Sequence, residues 1–184
     1  MNSINLQLDF HMERLLNYLN GPYSEVMIDF TNAQWAVAAG IPTSPGWYFL
    51  STDAPLEVFL ECPLWRESYR RVRDGAEVPV KNYDISKRAA RYDAERPLYW
   101  NLEQVYSGLA ASLRARAREH TFADPGTAGL ALAQYPQLRK FTWTFHYLEL
   151  RDFPIANEVS DSLILKLGEQ AWRTKFGWPI LCAA

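Results

Sequence analysis

An arginine and a glutamate in this 184-residue sequence stand where a helical pattern expects apolar side chains. On a helix from Leu109 to His120, Arg116 shares one stripe with Leu109, Leu113 and His120. A guanidinium keeps its proton, so on an apolar stripe it needs an anion or must extend into water. The spacing singles out Arg116 and leaves two interpretations: an internal ion pair, or a site for a ligand's anion.

Glu169 presents the same problem in the last predicted helix, which runs from about Ser160 to Phe176. It shares a stripe with Leu165, Trp172 and Phe176, at positions where apolar residues are expected. A buried carboxylate must be paired with a cation, protonated or bound to a metal ion. Glu169 is therefore a candidate metal ligand, with an ion pair to a nearby arginine as the alternative.

Two tyrosines complete the set of candidate residues. Tyr48 lies in an apolar, aromatic strand after the turn at Pro45, and Tyr106 lies in a strand predicted to stop at Gly108. Tyrosine, arginine, histidine and one carboxylate suit phosphodiester chemistry. The arginine can neutralise charge on phosphate oxygens, a tyrosine or histidine can orient or deprotonate water, and one carboxylate can hold a divalent cation. The sequence contains no HExxH, paired CxxC, GxxxxGK or GxSxG motif that would indicate another chemistry.

Composition limits the partners and the compartment. The net charge of −2 provides no global basic field, so a nucleic acid would have to meet a local patch. The two cysteines form neither a disulfide framework nor a metal knuckle, which favours a reducing, cytoplasmic setting. Acidic residues interrupt residues 1–20, unlike a signal peptide, and no apolar run is long enough to span a bilayer. We expect no membrane partner, and the oligomeric state stays open.

A local basic patch is predicted between the two tyrosine strands. Two helices, over Leu64–Arg73 and Ile85–Glu95, carry basic residues with aromatic residues between them, a pattern that suits a phosphate backbone. Acidic residues dilute the charge, so two ordinary surface helices are an equal alternative. The basic candidates for DNA binding are Arg66, Arg70, Arg71, Arg73, Lys87, Arg88 and Arg91.

The candidate residues resemble the motifs of the GIY-YIG nuclease family. Gly46-Trp47-Tyr48 is similar to the first half of the motif, and Val105-Tyr106-Ser107-Gly108 to the second. Arg116 and His120 follow at positions similar to the family's arginine and to the histidine of its restriction and homing branches. Glu169 and the residues after it resemble the family's terminal helix, in which the glutamate binds the metal.

The resemblance implies an α+β fold with a short, mixed or antiparallel three-stranded sheet flanked by helices. Residues 1–44 would form an N-terminal helical extension, and residues 45–184 the nuclease domain. Residues 51–102 would be an inserted helical segment that leaves the two motif strands paired. The sequence departs from the family at Trp47, at Leu109, where lysine is common in repair nucleases, and near Cys182, where asparagine is usual.

The activity implied is hydrolysis of DNA phosphodiester bonds by a magnesium-dependent endonuclease. Glu169 would hold one Mg²⁺ or Mn²⁺ ion, Arg116 would stabilise the transition state, and Tyr48, Tyr106 and His120 would position and activate water. One alternative is a catalytically degenerate GIY-YIG module that binds DNA or a protein without cleavage. Another is an unrelated interaction protein in which Arg116 and Glu169 form an internal salt bridge.

Overall fold

Four strands form one antiparallel sheet in the computed structural model, which describes residues 12–65, 69–73, 75–80, 83–123, 129–153 and 160–182. The helices, in chain order, are α1 (residues 12–19), α2 (Trp35–Ala38), α3 (Leu56–Leu60), α4 (Ile85–Ala89), α5 (Leu113–Phe122) and α6 (Asp161–Phe176). The strands are β1 (Ser24–Met27), β2 (Gly46–Thr52), β3 (Tyr69–Arg73), β4 (Ala76–Val80), β5 (Trp100–Asn101), β6 (Tyr106–Ala110), β7 (Trp143–Glu149) and β8 (Trp178–Pro179).

The main sheet has the order β1-β7-β2-β6, so β1 and β6 form its two edges. This arrangement confirms the α+β class and corrects the expected three-stranded sheet to four strands. The additional strand, β1, comes from the N-terminal segment, so that segment is not purely helical. Its residue Glu25 pairs with His146 of β7 in the antiparallel register.

The sheet separates two hydrophobic cores because alternate residues of a strand face opposite sides. Tyr48 and Leu50 of β2 face the core that includes Leu113 and Ala117 of α5. The intervening residues, Trp47 and Phe49, face the core that includes Leu165 of α6. Helices α5 and α6 therefore lie on opposite faces of the sheet.

The predicted helix over Leu64–Arg73 is wrong, because Tyr69–Arg73 is strand β3. It pairs antiparallel with β4, with Arg73 opposite Ala76. Gly75 has φ +79°, a conformation that glycine adopts without a steric penalty and that suits a tight hairpin turn. The arginine-rich composition favoured a helix, but the turn and the β-branched residues after it decided the structure.

The second predicted helix of the insertion is shorter than expected. It begins after Asp84, whose side chain accepts a hydrogen bond from the backbone N–H of Lys87, as predicted for the cap. It ends at Ala89 rather than at Glu95. With a hairpin between α3 and α4, residues 51–102 form a mixed segment and not a helical one.

The insertion contacts the chain end through a short parallel pairing. Trp100 of β5 pairs with Trp178 of β8, and Asn101 pairs with Pro179. The N–H of Ile180 then donates to the carbonyl of Asn101 over 3.2 Å. Within the described ranges, no helix combines the length and apolar character needed to cross a bilayer.

Candidate active site

The two candidate tyrosines, Tyr48 and Tyr106, lie on neighbouring, paired strands. In the antiparallel register, Tyr48 of β2 is opposite Gly108 of β6, and Leu50 is opposite Tyr106. The two phenol rings stack with centroids 6.1 Å apart and an interplanar angle of 18°. The sequence-predicted pairing across the insertion is therefore present.

Gly108 makes room for the phenol of Tyr48. A Cβ atom on Gly108 would lie 2.4 Å from Tyr48 Oη and 2.8 Å from Cζ, well inside van der Waals contact. Any larger residue would displace the hydroxyl group from its position over β6. This requirement gives a physical reason for glycine at position 108.

Helix α5 begins later than expected and places Arg116 over the phenols. Its N-cap is Ser112, whose side chain accepts a hydrogen bond from the N–H of Ala115. The predicted start at Leu109 is wrong because Leu109 belongs to strand β6. The remaining stripe residues, Leu113 and His120, are fully buried on α5.

The guanidinium of Arg116 contacts three side chains. Its Nε donates to Tyr48 Oη over 3.0 Å, and its Nη2 donates to Tyr106 Oη over 3.4 Å. Its Nη1 forms a 2.8 Å ion pair with Glu119 Oε2. Arg116 therefore has a counter-ion on its own helix and also links the phenols of two strands.

His120 lies behind Tyr48 and is held in one tautomer. Its Nε2 is 2.8 Å from Tyr48 Oη, and its Nδ1 accepts a hydrogen bond from the N–H of Leu130 over 3.3 Å. Because Nδ1 is the acceptor, the proton of the neutral ring lies on Nε2. His120 is then a donor to Tyr48 Oη, alongside Arg116.

Burial and charge set the protonation of the cluster. Burial, with Tyr106 nearby, raises the pKa of Tyr48 well above its usual value, although Arg116 opposes that rise. Burial also raises the pKa of Tyr106. Burial followed by the charge of Arg116 places the pKa of His120 well below its usual value. Burial disfavours the charge of Arg116, but the two phenols and Glu119 hold its pKa above the usual value.

The cluster opens to solvent on the side of Arg116. Tyr48 is 2% exposed, Tyr106 is 8% exposed and His120 has no exposure. The side chain of Arg116 is 23% exposed and that of Glu119 is 20% exposed. A substrate would therefore meet Arg116 and Glu119 before it reached the phenols.

Glu169 approaches the same edge strand from the opposite face of the sheet. Its Oε1 accepts a 2.7 Å hydrogen bond from Arg173 Nη2. Burial raises the pKa of the Glu169 carboxyl, while Arg173 and then Arg116 lower it. The charge of Arg116 therefore acts on Glu169, although the two side chains pair with different partners. The alternative in which they form one salt bridge is not observed.

Arg173 is the site residue that the sequence reasoning missed. Its Nε donates to Ser107 Oγ over 3.1 Å and its Nη2 to the Ser107 carbonyl over 3.0 Å, in addition to the bond with Glu169. The spacing of four residues from Glu169 to Arg173 was the available signal, because such pairs meet on a helix surface.

One carboxylate is available for a metal ion at this site. Oε2 of Glu169 accepts no hydrogen bond from any described residue, whereas Oε1 is held by Arg173. No group of three histidine, cysteine, aspartate or glutamate side chains in the described ranges could hold a metal ion. The single carboxylate of Glu169 fits a metal ion that has one protein ligand and completes its coordination with water and phosphate oxygens. Mg²⁺ accepts such an arrangement. The single carboxylate does not fit a zinc site, which requires three or four protein ligands.

The seven DNA-binding candidates fall into different environments. Arg66 lies outside the described residues, and so do the side chains of Arg70, Arg71 and Arg73. Lys87 is exposed on α4, whereas the guanidinium of Arg88 lies 4.8 Å from the ring centroid of Tyr83. Arg91 donates through Nη2 to the carbonyl of Cys182 and therefore holds the chain end.

Two other polar features lie away from these residues. His146 Nε2 is 2.7 Å from Ser51 Oγ, and its Nδ1 is 3.4 Å from Glu25 Oε1. A cleft of about 680 Å³ lies at the other edge of the sheet, between residues 27–31 and 136–143. Neither feature includes a residue of the Tyr48–Arg116 cluster.

No protein-family model, curated protein or solved structure matches this chain.

Proposed function

We propose that this chain is a divalent-metal-dependent endonuclease of the GIY-YIG type that hydrolyses phosphodiester bonds in DNA. The observation that carries the proposal is the contact of one guanidinium, from Arg116, with the phenols of both motif strands. Three side chains that are distant in sequence meet there, and His120 joins them through Tyr48. The pairing of β2 with β6 across the insertion supports the same proposal.

Arg116 would stabilise the charge that develops on the phosphate oxygens. Each terminal nitrogen of a guanidinium carries two hydrogens, and Nη1 and Nη2 each use one for an internal bond. The second hydrogen of each remains for a phosphate oxygen. Glu119 and the phenols thus hold the guanidinium in place before substrate arrives, which makes its electrostatic stabilisation preorganised.

The two tyrosines would orient the attacking water. Tyr48 Oη accepts from Arg116 and His120, so its own hydrogen can be donated either to Tyr106, with which it shares a hydrogen bond, or to the water. Tyr106 is the more accessible phenol and receives a weaker bond from Arg116. In this arrangement His120 acts through Tyr48, because its Nε2 carries a proton and its ring is fully buried.

Glu169 would hold a single Mg²⁺ or Mn²⁺ ion through Oε2. When bound, such an ion supplies positive charge next to the scissile phosphate. The carboxylate belongs to α6 and the guanidinium to α5, so the substrate phosphate would lie along β6 between the two helices. The basic residues of the insertion would contact neighbouring phosphates of the DNA.

The test is cleavage of supercoiled DNA with Mg²⁺, with Mn²⁺ and with a chelator. We expect Glu169→Ala to reduce nicking at least about 100-fold, because the only proposed metal ligand is lost, while DNA binding stays measurable. Glu103→Ala, at an exposed position, is the matched control and should retain activity. Full cleavage by Glu169→Ala would remove Glu169 from the site.

A non-cleaving module is the second candidate function. Its support is that Arg116 and Glu169 each already have an internal partner, and that both phenols are largely buried. Wild-type protein that binds DNA but nicks it with neither Mg²⁺ nor Mn²⁺ would favour this function over the enzyme.

A further inference from the structure

Arg173 connects three separate parts of the chain at the edge of the sheet. From α6, its guanidinium bonds to Glu169 on the same helix and to the side chain and carbonyl of Ser107 on β6. It also lies 3.4 Å from the sulfur of Cys182, near the end of the chain. The ring of Trp178 stacks against it, with the guanidinium carbon 4.9 Å from the ring centroid.

These contacts fix the Arg173 side of the Arg173–Glu169 pair. The Arg173 side chain is 11% exposed, and its Nε and Nη2 donate to protein acceptors. The backbone carbonyl of Ser107 cannot move without disturbing the strand, so it anchors Nη2. An arginine held in this way orients Glu169 rather than binding a phosphate at the surface.

The two oxygens of the Glu169 carboxylate consequently differ in their contacts. Oε1 is held 2.7 Å from Arg173, and Oε2 accepts nothing from the described residues. We propose that Arg173 is a positioning residue that clamps Glu169 to β6 and directs its Oε2 toward the substrate side of the edge strand. This inference rests on the proposed nuclease function for its catalytic consequence, but the clamp itself can be tested without cleavage.

A solely structural ion pair is the competing explanation, and the two differ in what the loss of Arg173 changes. A structural pair contributes only to the free energy of unfolding, whereas a positioning residue also fixes the orientation of the Glu169 carboxylate. A lysine at this position keeps the charge but lacks the rigid fork of Nε and Nη2 that bonds to Ser107 and Glu169 together.

The first experiment measures the clamp in the metal-free protein. NMR relaxation of the side-chain carboxyl carbon of Glu169 is measured in wild type, Arg173→Gln and Arg173→Lys. We expect an ordered carboxylate in wild type, a freely rotating one in Arg173→Gln and an intermediate one in Arg173→Lys. Lys166→Gln removes an exposed positive charge from the same helix and should leave the relaxation unchanged. An equally ordered Glu169 carboxylate in wild type and both Arg173 variants would overturn the proposal.

The second experiment measures kcat and KM for cleavage separately. We expect Arg173→Gln to lose about 10- to 100-fold in kcat, as seen for groups that support metal ligands, with little change in the KM for DNA. Reduced stability with an unchanged kcat would indicate a structural role and contradict the proposal. Should Arg173→Gln not fold, Ser107→Ala removes one acceptor of the clamp and should lower kcat by less.

The experiments distinguish a failure of the proposed nuclease function from a failure of the proposed role of Arg173. Absence of cleavage by wild type would overturn the proposed function, while the NMR relaxation measurement would still decide whether Arg173 positions Glu169. If the wild type cleaves DNA and both Arg173 variants behave like the wild type, only the proposed role of Arg173 is overturned.

Discussion

At the scale of single residues, His120 has the most sharply defined environment of the candidate site. It is fully buried, accepts from the N–H of Leu130 and lies against Tyr48 and the cationic Arg116. A second proton, on Nδ1, would remove the acceptor for the N–H of Leu130. It would also place a positive charge on His120 close to the charge of Arg116. The folded protein therefore stabilises the neutral imidazole.

The stability of the fold should consequently decrease below the ordinary pKa of histidine, about 6.5. The pKa of His120 is lower in the folded state than in the unfolded state, so the unfolded chain binds more protons in acid. Between pH 7.5 and 5.5 we expect the free energy of unfolding to decrease by about 1.4 kcal/mol on account of His120. Denaturant unfolding at both pH values measures this change.

The histidine variants provide the control for this pH dependence. His120→Asn should be less stable at pH 7.5 but should lose less stability over the same pH interval. His146→Asn should retain the contribution of His120, although burial lowers the pKa of His146 as well. An identical pH dependence in wild type and His120→Asn would contradict the assignment.

The sequence predicted that Arg116 needs a partner, but it did not predict which one. Its position on an apolar stripe carried that information, and Glu119, one turn away, was visible in the sequence. The phenol acceptors depend on the register of β2 with β6 and on where α5 lies over the sheet. The strand register and the position of α5 both result from tertiary packing across the insertion, so local sequence periodicity could not predict them.

At the scale of elements, the packing of α6 against β2 determines where Glu169 lies. Gly168, the residue before it, faces the indole of Trp47, and a Cβ atom there would lie 2.4 Å from Nε1. The same Nε1 donates to the carbonyl of Leu165 over 2.9 Å. The close approach of the helix therefore depends on Gly168 and on the indole of Trp47.

Substituting Gly168 by alanine should move the helix away from the sheet. We expect a loss of about 1–3 kcal/mol in the free energy of unfolding, the usual cost of overpacking, together with reduced cleavage because Glu169 moves with the helix. Leu167→Ala changes an exposed neighbour and should alter stability by less than about 0.5 kcal/mol. Thermal unfolding and the nicking assay measure both effects, and unchanged stability in Gly168→Ala would refute the tight packing.

The elements themselves were unevenly predictable. The last helix was expected from about Ser160 to Phe176 and runs over Asp161–Phe176, because its periodicity and the glycine after it are strong signals. The hairpin of β3 and β4 was missed because arginine and glutamate before Asp74 favour a helix locally. There the turn at Gly75 and the pairing with β4 outweighed a weak propensity.

At the scale of the whole molecule, the insertion supports the end of the chain. Tyr83 Oη donates to the carbonyl of Leu181, and Arg91 to that of Cys182. The N–H of Leu181 in turn donates to the carbonyl of Val105, next to β6. The segment that was predicted to be a DNA-binding insertion therefore takes part in the fold around the candidate site.

Substitution of two basic residues, one in α4 and one in the turn after it, should separate DNA binding from support of the fold. Lys87→Ala removes an exposed charge and should lower DNA affinity at low salt, reducing the slope of log K against log salt by about one. Arg91→Ala should mainly destabilise the fold, by about 1.5–3 kcal/mol for a lost charged hydrogen bond. Binding titrations at several salt concentrations and denaturant unfolding measure the pair, and an unchanged salt slope in Lys87→Ala would exclude a phosphate contact there.

The free side of β6 is already occupied by the chain itself. At Ser107, the N–H donates to the sulfur of Cys182, and the carbonyl accepts from Arg173. An exposed strand edge ordinarily invites another β-strand to add to the sheet, which leads to aggregation or domain swapping. In this molecule the same guanidinium that holds the Glu169 carboxylate also blocks that addition, so its removal should release the carboxylate and also make the protein prone to self-association.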